Sequence, residues 1–239
     1  MADRVRIREV TGPDDPAFAR AYAILKRTFP PAELVPRSDM LHTLRERAEG
    51  VWADLRWHML VAVRGRAVLG VASGTFIGSL NIGLVGYLAV EPQGRSRGLG
   101  PRLRGRLVEA FDKDARAIAH RKLGAVVGEV EADNPWLSYL VRYRRALALD
   151  IPYMQPAVRR IGGMVPLVLY WQPVSERPRS RLPVTMVRRL VYAVWRRGYR
   201  IARPLEDRRF RAILESLRGR RTVGRRSLPP PRRPLRPHE

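Results

Sequence analysis

Apolar positions along this chain change their period several times, and each change marks an element. From Arg4 to Val10 (RVRIREV) charged and apolar residues alternate, which predicts an edge strand. Asp14 and Asp15 then offer a cap for a helix over Pro16–Thr28, with Phe18, Ala21, Tyr22 and Leu25 along one face. The stretch FPPAE breaks that helix. A second helix follows Ser38, a candidate N-cap, and runs to Glu49, where Gly50 ends it. His58–Arg64 and Ala67–Phe76 read as two strands around the turn Gly65-Arg66, and Asn81–Val90 as a fourth. Helical spacing returns over Gly98–His120, where Leu99, Leu103, Leu107, Val108 and Phe111 recur at three- and four-residue intervals. Beyond Leu123-Gly124 a buried strand is predicted over Ala125–Glu131, then a helix from Asn134-Pro135 to Ala146. Two last strands, Tyr153–Val158 and Val165–Trp171, flank a loop holding Arg159, Arg160, Gly162 and Gly163.

The junction between the fourth strand and the long helix carries the most specific chemistry. It reads VGYLAVEPQGRSRGLG: strand, Pro92, then a short loop of Gly and Arg. A helix start presents backbone N–H groups without intrahelical acceptors, and its dipole favours an anion. Gly94, Gly98 and Gly100 let the backbone turn and approach a ligand, and Arg95 and Arg97 add donors suited to phosphate oxygens. A pyrophosphate is the expected ligand. No Lys follows the glycines, so a Walker loop is excluded, and the spacing is not that of a dinucleotide fingerprint.

The order Leu88-Ala89-Val90-x-Pro92-x-x-Arg95-x-x-Gly98-x-Gly100 resembles the acyl-CoA signature of the GNAT superfamily of N-acyltransferases. It matches at every fixed position. Ser96 stands where the family often has Gly, and a small side chain suits a loop whose N–H groups do the binding. The element order over residues 4–172 is also that of the GNAT fold. The resemblance implies an α/β (α+β) architecture: a mixed, twisted sheet of about seven strands with flanking helices, splayed between its fourth and fifth strands. Acetyl-CoA would pair with backbone groups at Leu88, Ala89 and Val90 and lay its pyrophosphate on Arg95, Ser96, Arg97, Gly98, Leu99 and Gly100. Asn134 resembles the family's CoA-contacting Asn; its plain alternative is an N-cap.

What the resemblance implies chemically is direct acetyl transfer from acetyl-CoA to a primary amine in a ternary complex. The chain has no Cys, so no enzyme thiol carries the acyl group. The family's acid is a Tyr on the helix after the fifth strand, which here offers Tyr143 or Tyr139; Tyr143, in RYRR, matches the context better, though the following Gly-Phe is missing. Glu129 and Glu131, alternating on the fifth strand, are the candidate bases, with Glu91 behind them. Glu33 falls where the family builds its acceptor pocket. His42, His58, His120 and His238 show no metal spacing, and no metal is expected.

Composition adds two qualifications. A net charge of +24 invites a nucleic-acid reading, but only three of the 46 basic residues are Lys, so the bias is towards Arg itself. The charge is also uneven: 26 basic against 17 acidic residues over 1–172, net +9, and 20 against 5 over 173–239, net +15. Absence of Cys is compatible with a reducing interior, no apolar run reaches about 18 residues, and the N-terminus has no signal-peptide core, so a cytoplasmic protein is expected. The resulting division is a GNAT-like domain over 1–172, a linker and basic helical extension over 173–217, and a disordered Arg/Pro-rich tail over 218–239. Within the extension, Val187, Leu190, Val191, Val194 and Trp195 form one stripe. It reads either as a surface for RNA or anionic lipid or as a helical pair folding back on a sheet or an adjoining subunit. The alternative function is accordingly a CoA-fold binding module docking on RNA, ribosome or membrane, with weak polyanion affinity in the tail.

Overall fold

The computed structural model describes residues 4–95, 98–158, 163–175 and 177–232. The chain forms two compact units, Met1–Leu123 with Ala157–Gly163, and Gly124–Pro156 with Met164–Glu239. This division differs from the expected boundary after residue 172: the C-terminal extension shares a unit with the fifth strand and the helix after it.

In the first unit the elements run β1 (Arg6–Glu9), α1 (Pro16–Thr28), α2 (Arg37–Ala48), β2 (Leu55–Arg64), β3 (Ala67–Ile77), β4 (Ile82–Val90), a single turn α3 (Pro92–Arg95) and α4 (Leu99–Ile118). Strands β1 to β4 pair antiparallel in chain order. Alternation along β2 divides its side chains between two layers. Met59, Val61 and Val63 pack with Phe18, Leu25 and Leu44 of α1 and α2. His58 lies on the opposite side, its ring 5.9 Å from that of Phe111 on α4. Asp15 caps α1 as expected, through Ala17 N. Ser38 does not cap α2; the N-cap of that helix is Pro36, two residues earlier.

Glycines seat α4. A Cβ on Gly83 would lie 2.0 Å from the Phe111 ring, and one on Gly74 would lie 2.8 Å from it. Only bare backbone lets that ring, fully buried, reach the sheet. In β4 the register passes from Ser73↔Tyr87 to Gly74↔Val85, so Gly86 is an extra, bulged residue just before Leu88–Val90.

The second unit contains β5 (Ala125–Val130), α5 (Pro135–Tyr143), β6 (Leu147–Ala148), β7 (Met154–Gln155), β8 (Val165–Pro166), β9 (Val168–Pro173), β10 (Leu182–Pro183), α6 (Val184–Ala193), α7 (Arg208–Glu215) and β11 (Thr222–Val223). Strand β9 pairs antiparallel with β5 and with β6. Four ladder strands in the first unit and three in the second match the expected count of seven, but β6 stands in place of the predicted strand over Tyr153–Val158. Gly128 faces Tyr170 in that register and lies so close that a Cβ would meet the phenol at 2.7 Å.

Two expectations fail here. The strand over Tyr153–Val158 shrinks to β7, paired only with β8. Pro152, Pro156 and Pro166 remove the N–H donors that a longer ladder needs. The tail expected to be disordered from residue 218 is ordered as far as 232. Thr222 and Val223 pair with β10, Arg226 N bonds to Ala148 O, Arg232 N bonds to Asp133 O, and Leu228 packs on the cluster around Leu137 and Leu140. Arg/Pro-rich composition hides this order because the segment is held by backbone hydrogen bonds and one leucine, none of which is periodic.

Candidate functional site

The first unit supplies the glycine loop. Gly98 is the N-cap residue of α4, at φ +64, a left-handed conformation that favours glycine. The N–H groups of Leu99 and Gly100 that follow have no acceptor within the helix. A Cβ on Gly98 would meet nothing, and one on Gly100 only Val90 at 3.8 Å, so a ligand can approach this backbone closely. Leu99 itself is buried and anchors the turn. Gly94 serves packing instead. It is buried, its N–H bonds to Glu91 O, and a Cβ there would press on Val90 and Leu99 at 3.0 and 3.1 Å. Leu88, Ala89 and Val90 lie in register with Ala72, Val71 and Gly70, directly after the bulge. Ser96 and Arg97 lie outside the described residues. The loop's chemistry fits an acyl-CoA pyrophosphate: an open left-handed glycine, N–H groups at a helix start and a long helix dipole.

Glu33 sits in the turn between α1 and α2. The Tyr87 hydroxyl, on β4, donates to Glu33 O at 2.7 Å and accepts from Val35 N at 2.9 Å, and its ring meets Phe29 edge-on at 5.0 Å. The strand that leads into the loop therefore also fixes the turn that carries Glu33. Glu91 is ion-paired with Arg27.

The second unit holds the two expected bases, and they have different surroundings. Glu129 accepts hydrogen bonds from the hydroxyls of both Tyr153 and Tyr199. Tyr153 is buried, and burial, reinforced by the Glu129 charge, pushes its pKa well above the ordinary phenol value, so it stays a neutral O–H donor. Tyr199 arrives through a turn of π-helix over Val194–Gly198 at the end of α6, closed by Tyr199 N to Val194 O at 2.9 Å. Glu131 is ion-paired with Arg232 and also accepts from Asn134 Nδ2 at 3.4 Å. Asn134 caps α5 by accepting from Trp136 N at 3.0 Å.

Tyr143 stands apart from this cluster. It ends an aromatic row along α5, in which Trp136 stacks on Tyr139 at 5.1 Å and Tyr139 lies 5.5 Å from Tyr143. Tyr143 is 65% exposed, and the Arg144 guanidinium lies over the Tyr139 ring and donates to its hydroxyl. Helical spacing explains the difference: Leu137 and Leu140 take the buried face, which leaves 136, 139 and 143 on another. Sequence reasoning misses Tyr153 and Tyr199. Alternation makes Tyr153 an ordinary strand residue, and Tyr199 follows the apolar stripe of α6 by a π turn that periodicity does not predict.

No family model matches the chain, and no curated protein matches it. Among solved structures, a protein from Bacteroides thetaiotaomicron described as a GNAT-family acetyltransferase superposes with a TM-score of 0.54 at 18% identity, covering 80% of this chain and 97% of that one. The ribosomal-protein-S18-alanine N-acetyltransferase from Escherichia coli gives 0.50 at 16%, over 73% and 96% of the two chains. An acetyltransferase structure from Salmonella typhimurium, solved with acetyl-CoA, gives 0.50 at 17%, over 73% and 96%. The chain has the fold of the GNAT acetyltransferases.

Proposed function

We propose that the protein is an N-acetyltransferase that moves an acetyl group from acetyl-CoA directly to a primary amine within a ternary complex. The observation that carries the reading is the loop: a left-handed Gly98 opening α4, at the end of a bulged β4, inside a fold shared with a structure that holds acetyl-CoA. The N–H groups of Leu99 and Gly100 hold the pyrophosphate, and the backbone of Leu88–Val90 aligns the pantetheine. Glu129 is the base. Two phenol donors fix the carboxylate's orientation. Transfer of an ammonium proton to Glu129 frees the amine to attack the thioester carbonyl; the C–N bond forms, the C–S bond breaks, and the second proton lost from the nitrogen passes to the departing thiolate, so that CoA leaves as the thiol.

The test is Gly98→Asp, read by calorimetric titration with acetyl-CoA in moderate salt. Asp tolerates positive φ, so the fold is retained, while its carboxylate faces the pyrophosphate. Like-charge opposition should raise Kd by about two orders of magnitude. Unchanged affinity would remove the CoA assignment.

A further inference from the structure

The aromatic row along α5 is only partly consumed by packing. Trp136 and Tyr139 rest against the cluster around Leu137 and Leu140, whereas Tyr143 is the most exposed large hydrophobic side chain among the described residues. Trp136 and Tyr139 stack with 18° between their planes, and Tyr139 lies 5.5 Å from Tyr143. Spacings of three and four residues keep all three on one stripe of the helix. Two half-buried rings therefore back a third that stands in solvent.

Arginines border that ring. Arg144 is held in place: its guanidinium carbon lies 5.8 Å from the Tyr139 ring centroid, and its Nε donates to the Tyr139 hydroxyl at 3.1 Å. Its two terminal nitrogens have no acceptor among the described residues. Arg142 comes three residues after Tyr139 and so lies beside it on the helix surface. It is exposed and makes no side-chain hydrogen bond or ion pair among the described residues. Arg145 follows at φ +55, a left-handed position that glycine ordinarily fills, so a third cation stands here against conformational preference. Along the chain on either side, Glu131 is paired with Arg232 and Asp150 with Arg220.

We propose that this end of α5 binds single-stranded nucleic acid: a base stacks on Tyr143, and the phosphates beside it reach the guanidinium forks of Arg142 and Arg144. An exposed ring supplies the stacking surface and unpaired arginines the opposite charge. Every base has a π-face, so what is recognised is an unstacked strand rather than a sequence. A bilayer is the poorer fit, because Leu137 and Leu140, which an interfacial helix would bury in lipid, face inward. The surface uses none of the residues of the glycine loop, so it stands or falls separately from the CoA assignment.

Fluorescence anisotropy of the full chain with a labelled oligouridylate of about ten nucleotides, at about 150 mM salt, tests it. Screening at that salt suppresses loose attraction to a chain of net charge +24. Saturable binding is expected, at least about tenfold tighter than that of a duplex of equal length. Tyr143→Ala should weaken oligouridylate binding by about tenfold and Tyr143→Phe should keep it within about twofold. Melting temperature should stay unchanged in both, since the ring is exposed. Arg142→Ala combined with Arg144→Ala should flatten the slope of log affinity against log salt by about 1.4, for two phosphate contacts at about 0.7 each. Equal binding of duplex and single strand, or unchanged affinity in Tyr143→Ala, would overturn the proposal and leave only attraction to the basic tail. Binding to phosphatidylserine vesicles in place of the oligonucleotide would overturn it in favour of lipid. Self-association that Tyr143→Ala abolishes, read by sedimentation, would do so in favour of a second copy of this chain.

Discussion

At Glu129 two phenol hydroxyls meet one carboxylate, and that arrangement sets Tyr153 and Tyr199 apart from Tyr143. A hydrogen bond to the charged form orients a carboxylate without removing its remaining lone pairs. Tyr153 and Tyr199 hold the Glu129 carboxylate, while Tyr143 lies exposed at the end of the aromatic row. Glu129→Gln should lower kcat by about 100-fold or more, with acetyl-CoA affinity retained, since a positioned base contributes on that scale. Tyr143→Phe should leave kcat within about twofold. Steady-state kinetics on both variants checks the pair: a full loss in Tyr143→Phe with an active Glu129→Gln would reverse the assignment.

At the scale of elements, β1, β2 and α4 are joined through one imidazole. His58, 5% exposed, meets Glu9 Oε1 of β1 with its Nδ1 and Asp114 Oδ2 of α4 with its Nε2, both at 2.6 Å, and Arg47 of α2 also pairs with Glu9. Burial pulls the His58 pKa down, but the bonds to Asp114 and Glu9 outweigh it, and the net shift is upward. Burial likewise raises Glu9, and His58 and Arg47 outweigh it to bring that carboxyl below its usual range. A raised His pKa stabilises fully below the unfolded value of 6.5 and is lost as pH rises through the folded one; the lowered Glu9 contributes above 4.5 and is lost as pH falls. Melting temperature should therefore be highest between these values and decline on the alkaline side. His58→Ala should cost about 3 kcal/mol at pH 6 by stranding the Asp114 carboxylate and leaving Glu9 to Arg47 alone, and should flatten the alkaline decline. Thermal melts from pH 4 to 9 read this directly, and an alkaline slope that survives the substitution would place its origin elsewhere.

At the scale of the whole molecule, the C-terminal third is a structural part of the second unit. Val187, Leu190, Val191, Val194 and Trp195 are fully buried, and Phe210 packs on Trp195 with ring centroids 5.0 Å apart. That stripe is consumed in folding; among the described residues no helix is long and apolar enough to span a bilayer. Burying side chains of this size contributes roughly 1.5–3 kcal/mol each, so truncation after Pro183 should leave the remaining chain insoluble or melting at least about 10 °C lower. It should also free Glu129 from Tyr199. Soluble yield and a melting curve decide the matter; a truncated chain as stable as the full one would restore the extension to a detachable role.

Local patterns carry most of the architecture. Alternation, helical spacing and the turn Gly65-Arg66 locate β1 to β5, β9, α1, α4 and α5 to within a few residues, though not the short β6, because burial on one face imposes its period on the chain. The glycine loop is legible for a related reason: a tight turn before a helix restricts residue type at fixed spacing, so its signature survives in one dimension. Glu129 is legible only as a carboxylate on a strand. Tyr199, 70 residues further on, reaches it through a π turn whose extra residue leaves no periodic trace. Spacing gives His58 no metal-ligand role and no other, yet Glu9 and Asp114, 49 and 56 residues away, meet it through the fold. The elements and the anion loop could be read from the chain because both rest on neighbours in sequence. Which carboxylate is held by phenols, which tyrosine is exposed and how far the arginine-rich tail is ordered could not. Those outcomes depend on contacts between residues far apart in the chain, where spacing carries no information.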